Sequence, residues 1–181
     1  LCKNTAYVVM DYLDGCTLKD HLKKNPILTF EDTVKLLKPI AEALGKVHEA
    51  GVIHRDISPD NIMLLKDGSA WLLDFGAARN VVDGDGKSLS VILKRGYAPE
   101  EQYSQGKQGA WTDVYALSAV IYRCITGRVP EESIQRYMQD TMKLPSELGF
   151  KIPWHSKQVL AKGLAVKQEN RYQSVKELWG N

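Results

Sequence analysis

Three oxygen-bearing side chains, Asp56, Asn61 and Asp74, are the residues best suited to chemistry in this chain. The first two lie five positions apart in the stretch VIHRDISPDNIMLL at 52–65, and Asp74 follows thirteen positions after Asn61. Carboxylate and amide oxygens suit Mg²⁺, a hard cation that takes a few protein ligands together with phosphate oxygens. Two of these side chains could hold the metal while the remaining carboxylate orients a hydroxyl.

A β-hairpin is the element that we expect to bring the three side chains together. Two apolar runs at 62–65 and 70–73 flank the turn sequence Lys-Asp-Gly-Ser at 66–69, which favours antiparallel pairing. The hairpin would return the chain so that Asp74 lies beside the loop that carries Asp56 and Asn61.

Helices are predicted on both sides of the hairpin. An amphipathic helix over 28–50 begins at a cap formed by Thr29 and Asp32 and ends at Gly51. A strongly apolar helix is predicted over 112–126, with further helices over 131–142, 156–165 and 174–179. A strand is predicted over 5–10, and the stretch 80–94 has no periodicity and is typical of a mobile loop. The predicted fold is mainly α with small β hairpins.

Composition narrows the class of protein. The 181 residues are 44% hydrophobic and 25% charged, which is enough for one domain with its own core. The formal charge of +2 gives no support for a nucleic-acid partner or a membrane surface. The three cysteines lack metal or disulfide spacing and favour a reduced, cytoplasmic location. No apolar run reaches the roughly 20 residues that span a bilayer.

Three motifs in fixed order resemble the protein kinase family: HRDISPDN at 54–61, DFG at 74–76 and GYAPEEQY at 96–103. Each motif alone is a weak signal, but the ordered set is strong. The last motif, with ENRYQSVKEL at 169–178, is most similar to bacterial serine/threonine kinases. The resemblance covers the whole chain as a C-terminal (large) lobe, with the last small-lobe strand and hinge at 1–15 and an activation segment at 74–101. Most of the N-terminal lobe would then be absent, as expected of a chain cut from a longer protein.

The resemblance implies ATP-dependent phosphoryl transfer to a protein hydroxyl, with serine or threonine favoured and with ATP and Mg²⁺ as cofactors. Asp56 matches the base that receives the hydroxyl proton, and Asn61 and Asp74 match the metal ligands. Each also has a structural interpretation, as a loop anchor, an Asx turn and a strand-end cap respectively. Four further residues match the nucleotide pocket, although a methionine in a strand is often a core residue: Met10 as gatekeeper, Asp11 and Leu13 in the hinge, and Met63 as the pocket floor.

Two positions depart from the pattern of the family. Its serine/threonine members carry a lysine two residues after the catalytic Asp, where this chain has Ser58. If Glu101 is the glutamate of the APE motif, as its twelve-residue spacing to Asp113 indicates, a threonine position of the family falls on Lys94. We therefore predict that the Lys94 ammonium replaces the missing cation. The alternative is a solvated loop lysine.

The remaining site residues have supporting roles by resemblance. Asp113 would anchor the HRD backbone, although an acidic residue near a helix start also favours the helix dipole. Glu101 and Arg171 would form a structural ion pair. Arg55 and Arg79 match basic residues that receive an activation-loop phosphate. Ser88 and Ser90 are hydroxyl residues within range of them.

The sequence leaves two alternatives to kinase activity open. Ser58 favours a pseudokinase lobe that serves as a protein-docking module, whereas retention of Asp56, Asn61 and Asp74 disfavours it. A small-molecule phosphotransferase of the aminoglycoside type would share the Asp and Asn loop, but lacks the APE-like segment. The chain alone is expected to be inactive and to expose an apolar patch around Met10, Met63 and Phe75. We expect this patch to cause either self-association or disorder of the DFG region and of residues 80–94.

Overall fold

The computed structural model describes residues 12–75, 79–80, 93–104 and 106–180, with the backbone alone described at 79 and 80. The helices in these ranges are α1 Leu18–Lys24, α2 Phe30–Glu49, α3 Glu100–Tyr103, α4 Ala110–Thr126, α5 Ser133–Met138, α6 Trp154–Gly163 and α7 Val175–Gly180. The strands are β1 Gly15–Thr17, β2 Val52–Ile53, β3 Ile62–Leu65, β4 Ala70–Leu72 and β5 Arg79–Asn80. Single 3₁₀ turns cover Pro59–Asn61, Pro145–Leu148 and Gln168–Asn170. The prediction of a mainly helical fold with small β elements is confirmed.

Helix α2 begins where the cap predicts. The Thr29 hydroxyl accepts a hydrogen bond from the Asp32 backbone N–H at 3.0 Å and donates one to the Asp32 carboxylate at 2.7 Å. The first bond satisfies a backbone N–H that the first helical turn leaves without a partner, and the second holds the two side chains together. The apolar stripe of the helix faces the core, where Leu37, Ile40 and Leu44 are fully buried.

Helix α4 is the centre of the core, because nearly all of its residues are buried. Helices α2, α6 and α7 pack around it. Gly127 ends the helix with a φ of 69°, a left-handed conformation that costs glycine little. Burial raises the pKa of the Cys124 thiol to about 12, so this cysteine is a neutral core residue.

Two small antiparallel sheets flank the helices. The first has the strand order β1-β3-β4 and includes the predicted hairpin, in which Ile62 pairs with Leu72 and Met63 with Trp71. The second pairs β2 with β5, with Ile53 opposite Arg79. The hairpin continues one step past the strands, since the Leu73 N–H donates to the Asn61 carbonyl oxygen at 2.8 Å.

Some predicted boundaries differ from the structure. The helix predicted over 131–142 is only Ser133–Met138, because the backbone becomes extended at Gln139 (φ −155°) and Arg136 binds the Asp140 carboxylate through two hydrogen bonds of 2.9 Å. The strand predicted over 5–10 and most of the loop at 80–94 lie outside the described residues. Within the described ranges, no helix has both the length and the apolar character needed to cross a membrane.

Candidate active site

A buried carboxylate anchors the backbone of the loop at 54–58, which lies between β2 and the first 3₁₀ turn. Asp113, in the first turn of α4, accepts hydrogen bonds of 2.8 Å from the backbone N–H groups of His54 and Arg55. The His48 Nε2 atom lies 2.8 Å from the same carboxylate. Arg55 has a left-handed φ of 71°, a conformation that costs a non-glycine residue about 1 kcal/mol or more. These bonds hold the loop in that unusual shape.

Asp56 and Asn61 contact each other across the loop. The Asn61 amide nitrogen donates to the Asp56 backbone carbonyl at 2.8 Å and to its carboxylate Oδ2 at 2.9 Å. Both bonds use the nitrogen of the amide, so the Asn61 amide oxygen is turned away from Asp56. The carboxylate is thereby held in one orientation, and an oxygen acceptor is presented beside it.

The hairpin returns Asp74 to the same end of the sheet. Leu73 pairs with Asn61, so Asp74 is the next residue along the chain. The Leu73 carbonyl oxygen lies 3.0 Å from Nε2 of His54, and the Phe75 ring meets the His54 ring edge to face at 4.7 Å. Asp74 is exposed and has a left-handed φ of 59°. The structure therefore brings the ends of both segments together, as the sequence predicts.

These acceptors suit a magnesium ion that is bound together with nucleotide phosphates. The candidate ligands are the amide oxygen of Asn61 and the carboxylate of Asp74, both hard oxygen donors. Mg²⁺ with a nucleotide commonly takes one or two protein ligands and completes its shell with phosphate and water. Among the residues that the structure describes, no group of three or more His, Cys, Asp and Glu side chains could hold a metal by itself. The residues present thus fit a metal that arrives with phosphate.

Ser58 and Lys94 are in direct contact. The Lys94 ammonium donates to the Ser58 hydroxyl at 2.9 Å and lies 3.5 Å from Oδ1 of Asp56. Ser58 is fully buried, whereas the Lys94 side chain is 29% exposed. The two positions that depart from the family pattern are therefore neighbours in space, although they are 36 residues apart in sequence.

Glu101 and Arg171 form a buried pair behind the loop. The guanidinium donates to both carboxylate oxygens, at 2.7 and 2.9 Å, and both side chains are almost fully buried. The Thr112 hydroxyl donates a third bond to this carboxylate at 3.0 Å. Arg171 also donates to backbone carbonyls of Ala165 and Val166. The pair connects α3 to the segment before α7.

The other predicted site residues are placed in part. Leu13 is half-buried before β1, and Met63 is half-buried in β3. Arg55 donates from Nε to the Gln108 side chain at 2.6 Å, and Arg79 pairs with Ile53 through its backbone. Four of the predicted residues lie outside the described part of the chain: Met10, Asp11, Ser88 and Ser90.

Several contacts around the loop were not predicted from the sequence. His48 reaches Asp113, Gln108 reaches Arg55, and the Gln102 side chain donates to the Arg55 carbonyl at 2.9 Å. Each contact joins residues 47 to 65 positions apart. No local pattern marks such pairs. The only available signal for Gln102 is its place in the GYAPEEQY motif.

Comparisons with known proteins identify the family. The family model of the protein kinase domain matches residues 2–178. A probable serine/threonine-protein kinase of Clostridium acetobutylicum is 31% identical over 97% of this chain and 28% of its own length. The serine/threonine-protein kinase PknB of Mycobacterium leprae is 32% identical over 95% of this chain and 29% of its own length.

Solved structures show the same fold. The structure of PpkA-294 in its apo form superposes with a TM-score of 0.77 and is 34% identical. The match covers 92% of this chain and 59% of the other chain. The present chain thus spans under a third of each of the two curated relatives and somewhat over half of the solved kinase chain. It belongs to the protein kinase family and resembles that family's bacterial serine/threonine members.

Proposed function

We propose that the full-length protein transfers the γ-phosphoryl group of ATP to a serine or threonine hydroxyl of a protein substrate, with Mg²⁺. The observation that supports this most strongly is the convergence of Asp56, Asn61 and Asp74 at one end of the β3–β4 hairpin. A carboxylate held in place beside two hard oxygen ligands is what phosphoryl transfer requires of a protein.

The proposed reaction is an in-line displacement. The substrate hydroxyl oxygen forms a bond to the γ-phosphorus while the bond from that phosphorus to the β,γ-bridging oxygen breaks, and ADP leaves with the electron pair. The hydroxyl proton passes to the Asp56 carboxylate. Because Asn61 holds Oδ2 of that carboxylate at 2.9 Å, the base is oriented before substrate binds. Such positioning accounts for much of the catalysis in this class of reaction.

Asn61 and Asp74 would hold the metal. When bound, Mg²⁺ neutralises the phosphate oxygens and aligns the transferred group. The contribution of this chain is to fix the two ligands: Asn61 through its bonds to Asp56, and Asp74 through the adjacent pairing of Leu73 with Asn61.

The proposal is tested by incubating the full-length protein with γ-labelled ATP and Mg²⁺, in separate reactions with a protein acceptor and with an aminoglycoside. The labelled amino acids and the aminoglycoside are then analysed. We expect label on serine or threonine, and we expect none when EDTA removes the metal. Label that appears only on an aminoglycoside alcohol would contradict protein kinase activity. Absence of transfer, with the folded protein still binding a partner, would instead identify a docking module.

A first prediction concerns the metal. Asp74→Asn in the full-length protein should lower turnover by about 10²-fold or more, because a neutral amide would hold Mg²⁺ less tightly than the carboxylate and the phosphate charge would be less well neutralised. It should also raise the Mg²⁺ concentration needed for half-maximal rate. Initial rates across a magnesium titration measure both effects. Asp14→Asn is the matched control, since Asp14 is an exposed carboxylate paired with Lys66 at 2.8 Å. Equal magnesium curves for the two variants would contradict the metal role.

A second prediction concerns the 181-residue chain by itself. Three apolar side chains are exposed on the hairpin and the segments that adjoin it: Tyr12 (89%), Trp71 (53%) and Phe75 (47%). Apolar patches of this kind tend to be covered, so we expect the chain to self-associate, to bind Mg–ATP weakly and to transfer no phosphate. Sedimentation velocity across a concentration series measures the association, and Trp71→Ser should reduce it. Trp154→Ser is the control, because Trp154 is 72% exposed at the start of α6, away from the hairpin. A monomer at every concentration would exclude the association.

A further inference from the structure

The two oxygens of the Asp56 carboxylate face different partners. Oδ2 accepts from the Asn61 amide at 2.9 Å, whereas Oδ1 lies 3.5 Å from the Lys94 ammonium. Asp56 and Lys94 are partly open to solvent, with 20% and 29% of their side chains exposed. A positive charge and a candidate metal ligand therefore flank the proposed base on opposite sides.

Lys94 donates to Ser58, a fully buried residue of the loop that carries Asp56. The neutral hydroxyl directs the ammonium without neutralising it. A phosphoryl group that moves to a hydroxyl at Asp56 passes within reach of a lysine at this distance. Charge on the equatorial oxygens of that group is stabilised by a preorganised cation. A lysine ammonium is a compact point charge that can meet a phosphate from several directions.

We propose that Lys94 is a catalytic residue of the transfer proposed above, and that its ammonium contacts the phosphoryl group from the activation segment rather than from the loop at 54–58. This inference rests on the proposed function. In it, Ser58 has the role of a positioning residue for the Lys94 ammonium. Relative to the family pattern, the lysine and the hydroxyl residue have thus exchanged positions: the hydroxyl is at Ser58 and the ammonium at Lys94.

Lys94 lies at the start of a turn that is packed against the rest of the lobe. Its carbonyl oxygen accepts from the backbone N–H groups of Tyr97 and Ala98, both at 3.0 Å, which forms a tight turn. Gly96 in this turn has a φ of 78°, and a Cβ there would lie 2.5 Å from the Pro130 carbonyl oxygen. The turn therefore packs closely against the segment after α4. This packing helps to hold the Lys94 ammonium in position.

The test uses the full-length protein and four variants: Lys94→Met, Lys94→Arg, the exchange Ser58→Lys with Lys94→Thr, and the control Lys107→Met at an exposed lysine after α3. We expect Lys94→Met to lower kcat by about 10²-fold and to leave Mg–ADP binding unchanged in calorimetry. Binding of a non-hydrolysable ATP analogue should weaken about tenfold, as for loss of a charged hydrogen bond. The exchange variant should recover at least about tenfold of the lost kcat, since it returns a cation to the site.

The outcomes separate this inference from the proposed function. Wild-type protein that transfers no phosphate would overturn the function and the inference with it. Active wild type with Lys94→Met equal to the Lys107→Met control would overturn the catalytic role of Lys94 alone. So would equal weakening of ADP and analogue binding, which indicates a merely structural residue. If the exchange variant fails to fold, as judged by its thermal transition, the comparison of Lys94→Arg with Lys94→Met decides: an equal loss overturns the role of charge.

Discussion

Replacing Asp56 by asparagine in the full-length protein is expected to lower phosphoryl transfer by about 10³-fold or more, within the range attributed to a positioned general base. The two side chains are nearly the same size, and the new amide would keep an oxygen that can accept the hydrogen bond from the Asn61 side chain. What is lost is the group that takes the hydroxyl proton. We therefore expect the fold to be retained and phosphoryl transfer to be lost.

The measurement is the initial rate of substrate phosphorylation, with circular dichroism and the thermal transition recorded for each protein. Asp60→Asn is a matched control in the same loop, because the Asp60 carboxylate pairs with Lys19 at 2.7 Å on the surface. Such exposed pairs contribute little to stability. We expect Asp60→Asn to transfer phosphate at close to the wild-type rate. Wild-type turnover in Asp56→Asn would exclude Asp56 as the base.

The elements with a long or regular pattern were predictable from the sequence. Helix α2 has a cap and a complete apolar stripe, and the β3–β4 hairpin has a turn sequence between two apolar runs. Strands of two or three residues, such as β2 and β5, are too short for any alternation to be visible. They form because the chain on either side is already held, so tertiary packing rather than local preference defines them.

The candidate site was predictable as a set of residues but not as a geometry. Motif order places Asp56, Asn61 and Asp74 in one site, and motif register pairs Ser58 with Lys94. The anchoring of the loop by Asp113 was expected only from the resemblance, and its further support, such as the contact of His48 with Asp113, was not predicted. That support depends on where α4 packs. It can be identified only once the packing of segments that are distant in sequence is known.

The buried pair of Glu101 with Arg171, behind the loop, is where the largest effect on stability is expected. Arg171→Met should destabilise the region around α3 and α4 by about 3–5 kcal/mol, because it leaves the Glu101 carboxylate buried without its partner. Carbonyl oxygens of Ala165 and Val166 would lose donors as well. The double variant Glu101→Met with Arg171→Met should be destabilised by less than the sum of the two single variants, since no uncompensated charge remains.

Hydrogen exchange of the full-length protein, resolved by segment, measures this effect as the free energy of opening for α4 and for residues 165–171. The control is Lys66→Met, which breaks the exposed pair with Asp14 and should cost about 0–1 kcal/mol. Additive losses of stability in the single and double variants would contradict a coupled buried pair. A loss in Arg171→Met as small as that in Lys66→Met would show that the region tolerates a buried carboxylate.

A large, non-additive loss of stability would instead mean that the pair fixes α3, and with it the Gln102 side chain that bonds the Arg55 carbonyl at 2.9 Å. Transfer activity in Arg171→Met should then fall along with stability, because the loop that carries Asp56 loses one of its supports.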